Sequence, residues 1–284
     1  MEKKRFGRVA ILGATNAGKS TLLNALAREK VAITSRKVQT TREVVRGIIS
    51  RGNVQIAFVD TPGVFEAKGA FDRKMVSAAW GAMDGADAVL FLVDALKGIT
   101  PTFRRVVEKL KTITAPAALA LNKVDAVRKP DLLELTARIA EETGALFEEI
   151  FMISAKEGDG LARLLDWAES KMPAGEWQFE EGERTDADVA ERAAELTREQ
   201  VYEYLHHELP YGITVRTDSA RDRGGSVEVR QTIITENAAH KAIILGARGA
   251  KIKQIGERAR GEMAALFGGR KVNLFLQVEV GEWK

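Results

Sequence analysis

The run Gly13-Ala14-Thr15-Asn16-Ala17-Gly18-Lys19-Ser20 constrains this chain more than any other stretch of it. It satisfies the pattern G-x-x-x-x-G-K-[ST] in full. Such a loop works between a strand and a helix, where inward-pointing N–H groups and the helix N-terminus together make a nest for phosphate oxygens. The flanks comply: residues 8–12 are apolar and strand-like, and residues 19–28 carry helical spacing. Lys19 is expected to reach the phosphates and Ser20, followed by Thr21, to face a divalent cation.

The same alternation continues downstream. Strands are expected at 8–12, 44–50, 54–59, 88–93, 117–121 and 149–153, with helices at 19–28, 70–83, 101–111, 132–143 and 161–170. Runs such as Val89-Leu90-Phe91-Leu92-Val93 are apolar throughout, as strands covered on both faces are. This order predicts an α/β domain with a mixed, mostly parallel sheet, and Gly52-Asn53 marks one antiparallel hairpin. The pattern changes after Met172-Pro173-Ala174-Gly175, so the first domain is taken as 1–174, a linker as 175–190 and a smaller α+β domain as 191–284. That second domain reads helix 186–209, strands 214–217 and 226–235, helices 238–245 and 250–266, and strand 272–280.

Three further motifs follow strands of the first domain. Asp60-Thr61-Pro62-Gly63 ends the third strand; Asp60 suits a cation contact, and the Gly63 N–H can approach a terminal phosphate. Asn122-Lys123-Val124-Asp125 ends the fifth and points to guanine, because Asp125 can accept from both N1–H and the exocyclic amine, donors that adenine lacks. Ser154-Ala155-Lys156 ends the sixth and offers backbone N–H to the guanine O6. The ordered set implies GTP and GDP as ligands, with Mg²⁺ held by Ser20 and Asp60.

These motifs resemble those of the Ras-like, translation-factor-class GTPases. The resemblance implies that Thr41, in Gln39-Thr40-Thr41-Arg42, completes the Mg²⁺ shell in the GTP state. It also implies catalytic roles for Lys19, Thr41, Gly63 and Asn16. Many such enzymes orient water with a glutamine directly after the D-x-x-G glycine; here that position is Val64, which cannot hydrogen-bond water. Slow intrinsic turnover is therefore expected. In relatives with an apolar residue there, an asparagine at the Asn16 position helps to hold K⁺.

In the second domain Gly246-Ala247-Arg248-Gly249 joins two helices, with Ile243, Ile244, Ile252 and Ile255 at core spacing and Arg248, Lys251 and Lys253 clustered at the turn. The α-β-β-α-α-β order resembles a type II KH module, whose G-x-x-G loop clamps about four nucleotides of single-stranded RNA. Basic side chains there would neutralise phosphates. Tyr202 and Tyr204 are read as packing residues of the first helix.

A Ras-like GTPase followed by a type II KH domain resembles the bacterial Era family of GTPases from about residue 6 to 281, with Ser35–Arg42, Asp60–Val64, Glu208-Leu209-Pro210-Tyr211 and the 246–249 loop carrying the likeness. The resemblance implies binding of 16S rRNA and the 30S ribosomal subunit in assembly or maturation. It further implies a cytoplasmic location with peripheral inner-membrane association. A monomer is the default.

Composition narrows the rivals. The absence of cysteine excludes disulfides, thiolate metal sites and a cysteine nucleophile. His206, His207 and His240 lack metal-ligand spacing. The N-terminus has no apolar run of the signal-peptide kind, and no stretch reaches the about 18 apolar residues of a membrane span. With a net charge of only +3, nucleic-acid binding must rest on local clusters. A GTP-dependent regulator whose second domain binds protein is the main alternative. A P-loop kinase fits less well, because 122–125 selects guanine.

Overall fold

The structure is a computed structural model, described here for residues 3–34, 45–61, 63, 80–81, 83–204 and 213–281. The expected helix at 70–83, Thr40, Thr41, Pro62, Val64, His206, His207 and residues 208–211 lie wholly or mostly outside the described residues. The chain divides into two compact units, Met1–Ala32 with Arg36–Asp186, and Ile33–Ser35 with Ala187–Lys284.

The first unit is built on a six-stranded sheet. Its strands are β1 (Arg5–Gly13), β2 (Val45–Arg51), β3 (Val54–Asp60), β4 (Ala88–Asp94), β5 (Ala117–Asn122) and β6 (Ile150–Ile153), in the order β2-β3-β1-β4-β5-β6. Only β2 runs antiparallel to its neighbour, paired with β3 through the 52–53 turn. The α-helices named among the described residues are α1 (Lys19–Ala27), α2 (Pro101–Leu110), α3 (Lys129–Thr143) and α4 (Leu161–Lys171). Alternate residues of the buried strand β1 face opposite sides. Val9 and Ile11 pack with Leu22 and Leu26 of α1 and Leu164 and Trp167 of α4. Ala10 and Leu12 pack with Phe103, Val106 and Leu110 of α2 and Ile139 of α3. Helix α3 begins at Lys129, before the expected 132, because Pro130 in its first turn presets a helical φ and lacks an N–H that would go unused there.

Residues 175–190 read as a linker from their acidic and polar content, yet much of this stretch is tied to the first unit. Gly175 N–H donates to Lys4 O (3.0 Å), and Ile48 N–H of β2 donates to Arg184 O (2.8 Å). Gln55, the second residue of β3 and fully buried, accepts from the N–H groups of Gln178 and Phe179 (3.1 Å each) and donates to Phe179 O (3.0 Å).

The second unit has the order α5 (Val189–Tyr204), β7 (Ile213–Asp222), β8 (Ser226–Thr235), α6 (Ala238–Leu245), α7 (Ala250–Leu266) and β9 (Lys271–Val280). Helix α5 starts at 189 rather than 186 because Asp188 and Glu191 form a reciprocal capping pair, each side chain accepting the other's N–H (2.7 and 3.1 Å). In the three-stranded sheet β8 is central, antiparallel to β7 and parallel to β9. Val201 of α5, Ile213, Ile233, Ile244 of α6, Ile255 of α7 and Val278 share one core. Buried Tyr202 lies under the Arg198 guanidinium (5.5 Å to the ring centroid), and Tyr204 under that of Arg258 (4.8 Å), both in packing positions.

Candidate nucleotide site and glycine loop

Because β1, β3, β4, β5 and β6 are mutually parallel, the loops that leave their carboxyl ends gather at one edge of the sheet, where ligands of open α/β folds bind. The phosphate loop leaves β1. Asn16 adopts a left-handed conformation (φ 63°) and so does Gly18 (φ 101°). A Cβ on Gly18 would stand 2.3 Å from Asn122 Nδ2, so only glycine fits. Lys19 and Ser20 then open α1. Lys19 is buried, and its Nζ donates to the carbonyls of Gly13 and Ala14 (3.1 Å each). Burial pushes the Lys19 ammonium below the ordinary lysine value, and the nearby Asp60 charge partly offsets this. An anionic phosphate placed beside this ammonium would favour its charged form for the same reason.

Ser20 Oγ donates to Asp60 Oδ2 (2.7 Å), both residues buried. These are hard oxygen donors of the kind that Mg²⁺ takes alongside phosphate oxygens, so the residues present fit that ion. Thr61 Oγ1 donates to Ile11 O (2.9 Å), anchoring the turn after β3, and Gly63 lies against Thr15 of the phosphate loop.

On the base side, Asn122 ends β5 fully enclosed. Its Nδ2 donates to Ala17 O (2.8 Å) and its Oδ1 accepts the Ala155 N–H (2.9 Å). One side chain thus pins the phosphate loop to the 154–156 turn. Within the turn read as offering a backbone N–H to the base, the Ala155 N–H is directed to Asn122 Oδ1. Buried Ser154 Oγ accepts from Glu157 N–H (3.2 Å), and Lys156 Nζ pairs with Glu157 (2.6 Å). Asp125 sits exposed in the short turn Val124–Ala126. Lys123 is left-handed (φ 67°); its Nζ donates to Asn16 O (2.8 Å) and Asp94 Oδ2 (2.7 Å). Asp94 was not singled out from the sequence. Its only sequence signal is a carboxylate closing an otherwise apolar buried strand.

In the second unit the loop between α6 and α7 also departs from ordinary backbone. Gly246 has φ 69° and ψ 176°, a region open to glycine, and a Cβ there would stand 2.7 Å from Lys251 Cγ. Arg248 is left-handed (φ 52°). Ala247, Arg248 and Lys253 are exposed, Gly249 and Lys251 half-buried, while Ile244 and Ile255 are core residues flanked by Ile243 and Ile252. The turn therefore projects a basic rim from an apolar base.

Comparison with known proteins fits this division. A family described as 50S ribosome-binding GTPase matches residues 8–123, and a KH domain family matches residues 208–284. GTPase Era of Mesorhizobium japonicum is 46% identical over 277 residues, covering 97% of this chain and 88% of its own. The chain belongs to the Era family of GTPases. Era of Afipia carboxidovorans is likewise 46% identical, with 97% of this chain and 89% of that protein covered. Two Era crystal structures superpose with a TM-score of 0.92 at 34% identity, over 98% of this chain and 94% of theirs. One holds MgGDPNP and nucleotides 1506–1542 of 16S ribosomal RNA; the other, a variant of Aquifex aeolicus Era, holds GDP and AlF₄⁻. In this Era-family chain the first unit is accordingly the P-loop GTPase domain, with its mixed, mostly parallel sheet, and the second the KH domain.

Proposed function

We propose that this chain binds GTP and GDP with Mg²⁺, hydrolyses GTP, and binds 16S rRNA of the small ribosomal subunit through the 246–249 loop during 30S assembly. The observation that carries the reading is the cluster at the sheet edge: Lys19, Ser20, Asp60, Asn122 and Asp125 come from three separate loops, and Asn122 ties two of them together. Lys19 would hold the transferring phosphate oxygens, Asn16 a K⁺ beside them, and Asp125 the guanine edge. Ser20 and Asp60, with Thr41, would hold Mg²⁺, which supplies charge neutralisation on the phosphates. Gly63 would bring its N–H to the terminal phosphate. With Val64 in place of a water-orienting glutamine, intrinsic turnover is on the order of 10⁻³ s⁻¹ or below.

The match over 8–123 is described by the large subunit, but the relative superposing over 98% of this chain was crystallised with small-subunit RNA, and this is the more specific guide. By the family likeness we place the protein in the cytoplasm, as a monomer with peripheral contact at the inner membrane; no helix among the described residues is long and apolar enough to cross a membrane.

Fluorescence anisotropy with the single-stranded 3′ end of 16S RNA tests the proposal, with the protein loaded with GDP or a non-hydrolysable GTP analogue. Tighter binding with the analogue is expected. Arg248→Ala should weaken binding and lower the slope of log affinity against log salt by about 1, without changing GTP turnover. Unchanged affinity and slope would move the RNA surface elsewhere; absence of binding in both states would favour a regulator that binds protein.

A further inference from the structure

Every residue of β4 is buried, and the strand closes on a carboxylate. The parallel pairing of β4 with β5 places Asp94 opposite Asn122, one residue before Lys123. Two backbone contacts lock this end of the sheet: Ala95 N–H donates to Asn122 O (2.9 Å), and Gly98 N–H donates to Asp94 O (3.0 Å). The Asp94 side chain is only 5% exposed, and each of its oxygens faces a donor: Oδ1 the Leu96 N–H (3.0 Å), Oδ2 the Lys123 ammonium (2.7 Å).

The Lys123 ammonium is turned toward the phosphate loop. From its left-handed backbone Lys123 turns its Nζ to the carbonyl of Asn16, itself a left-handed residue in the phosphate loop (2.8 Å). Non-glycine residues hold that conformation only where their surroundings over-determine it. Here one ammonium joins the two strained positions, and one buried carboxylate aims the ammonium.

We propose that Asp94 is a positioning residue for nucleotide binding, holding Lys123 across the Asn16 carbonyl so that the base-selecting loop and the phosphate loop are set as one piece. The inference rests on reading this edge as the nucleotide site. An amide at position 94 keeps the side-chain shape but must turn its NH₂ toward one of the two donors, so Asp94→Asn breaks the arrangement without opening a cavity.

The test is a double-mutant cycle on the full chain, titrating a fluorescent GDP analogue into wild type, Asp94→Asn, Lys123→Ala and the double variant, with the melting temperature of each taken without nucleotide. Each single change is expected to raise Kd about tenfold, and the double variant to be no weaker than Lys123→Ala alone, as for residues in one hydrogen-bond network. Equal factors in both backgrounds, or a lower melting temperature with unchanged Kd, would make Asp94 a structural residue and overturn the inference. Failure of wild type itself to bind the analogue would instead overturn the nucleotide reading, and this inference with it.

Discussion

Asn122 shows how much one side chain carries at this site. It is buried, it uses both ends of its amide, and its two partners, Ala17 O and Ala155 N–H, come from loops 105 and 33 residues away. Replacement by alanine leaves both groups without that partner, at about 1–3 kcal/mol each. Asn122→Ala is therefore expected to lower stability by about 2–6 kcal/mol in urea unfolding, and to weaken guanine-nucleotide binding as well. The pattern 122–125 was legible as guanine-selecting because its residues are contiguous. That Asn122 serves as the joint between two loops, while Asp125 is exposed, was not legible. Both facts depend on where β5 lies in the sheet.

At the scale of elements, the instructive case is the segment after α4. Its sequence has the polarity of a linker, yet Gln55 in β3 provides three hydrogen bonds for its backbone. The clue was present as one amide inside the apolar run Val54-Gln55-Ile56-Ala57-Phe58-Val59, since a buried glutamine in a central strand must find partners. Which partners it finds could not be known from position 55 alone, because they lie 123 and 124 residues on. Gln55→Leu keeps the volume and removes all three bonds. Faster hydrogen exchange at Gln178 and Phe179, with no change at the Ser20–Asp60 pair or in GDP affinity, is the expected outcome. Helix boundaries follow a similar logic at shorter range: Pro130 and the Asp188–Glu191 pair set starts that apolar spacing alone placed a few residues off.

Across the whole molecule, each unit encloses its own apolar core, the first on both faces of the six-stranded sheet and the second between its sheet and helices. The candidate nucleotide residues all belong to the first unit, so ligand linkage acts on its unfolding. GDP at about 100 times its Kd adds about 2.7 kcal/mol to the folded state it binds. Calorimetry is expected to show the first unit's transition rise by about 5–10 °C with MgGDP, while the transition of the second unit keeps its midpoint. Equal displacement of a single transition would show instead that the two cores melt together.

The amino-acid sequence by itself determined most of the described elements, their order, the two kinds of domain and the contiguous motif loops from which the nucleotide and RNA sites are proposed. Each of these follows from interactions among near neighbours: strand and helix periodicity, glycines where backbone must turn, charges within a few residues of one another. The tertiary structure alone decided that Lys123 crosses to Asn16, that Asp94 aims it, that Ala155 N–H belongs to Asn122, and that Gln55 holds residues 178 and 179. Those contacts span tens to more than a hundred residues. The strand order β2-β3-β1-β4-β5-β6 brings the carboxyl ends that carry Asn16, Asp94, Asn122 and Ala155 to one edge, while Gln55 meets residues 178 and 179 at the opposite, amino-terminal end of β3. Burial then requires every polar group gathered there to find a partner.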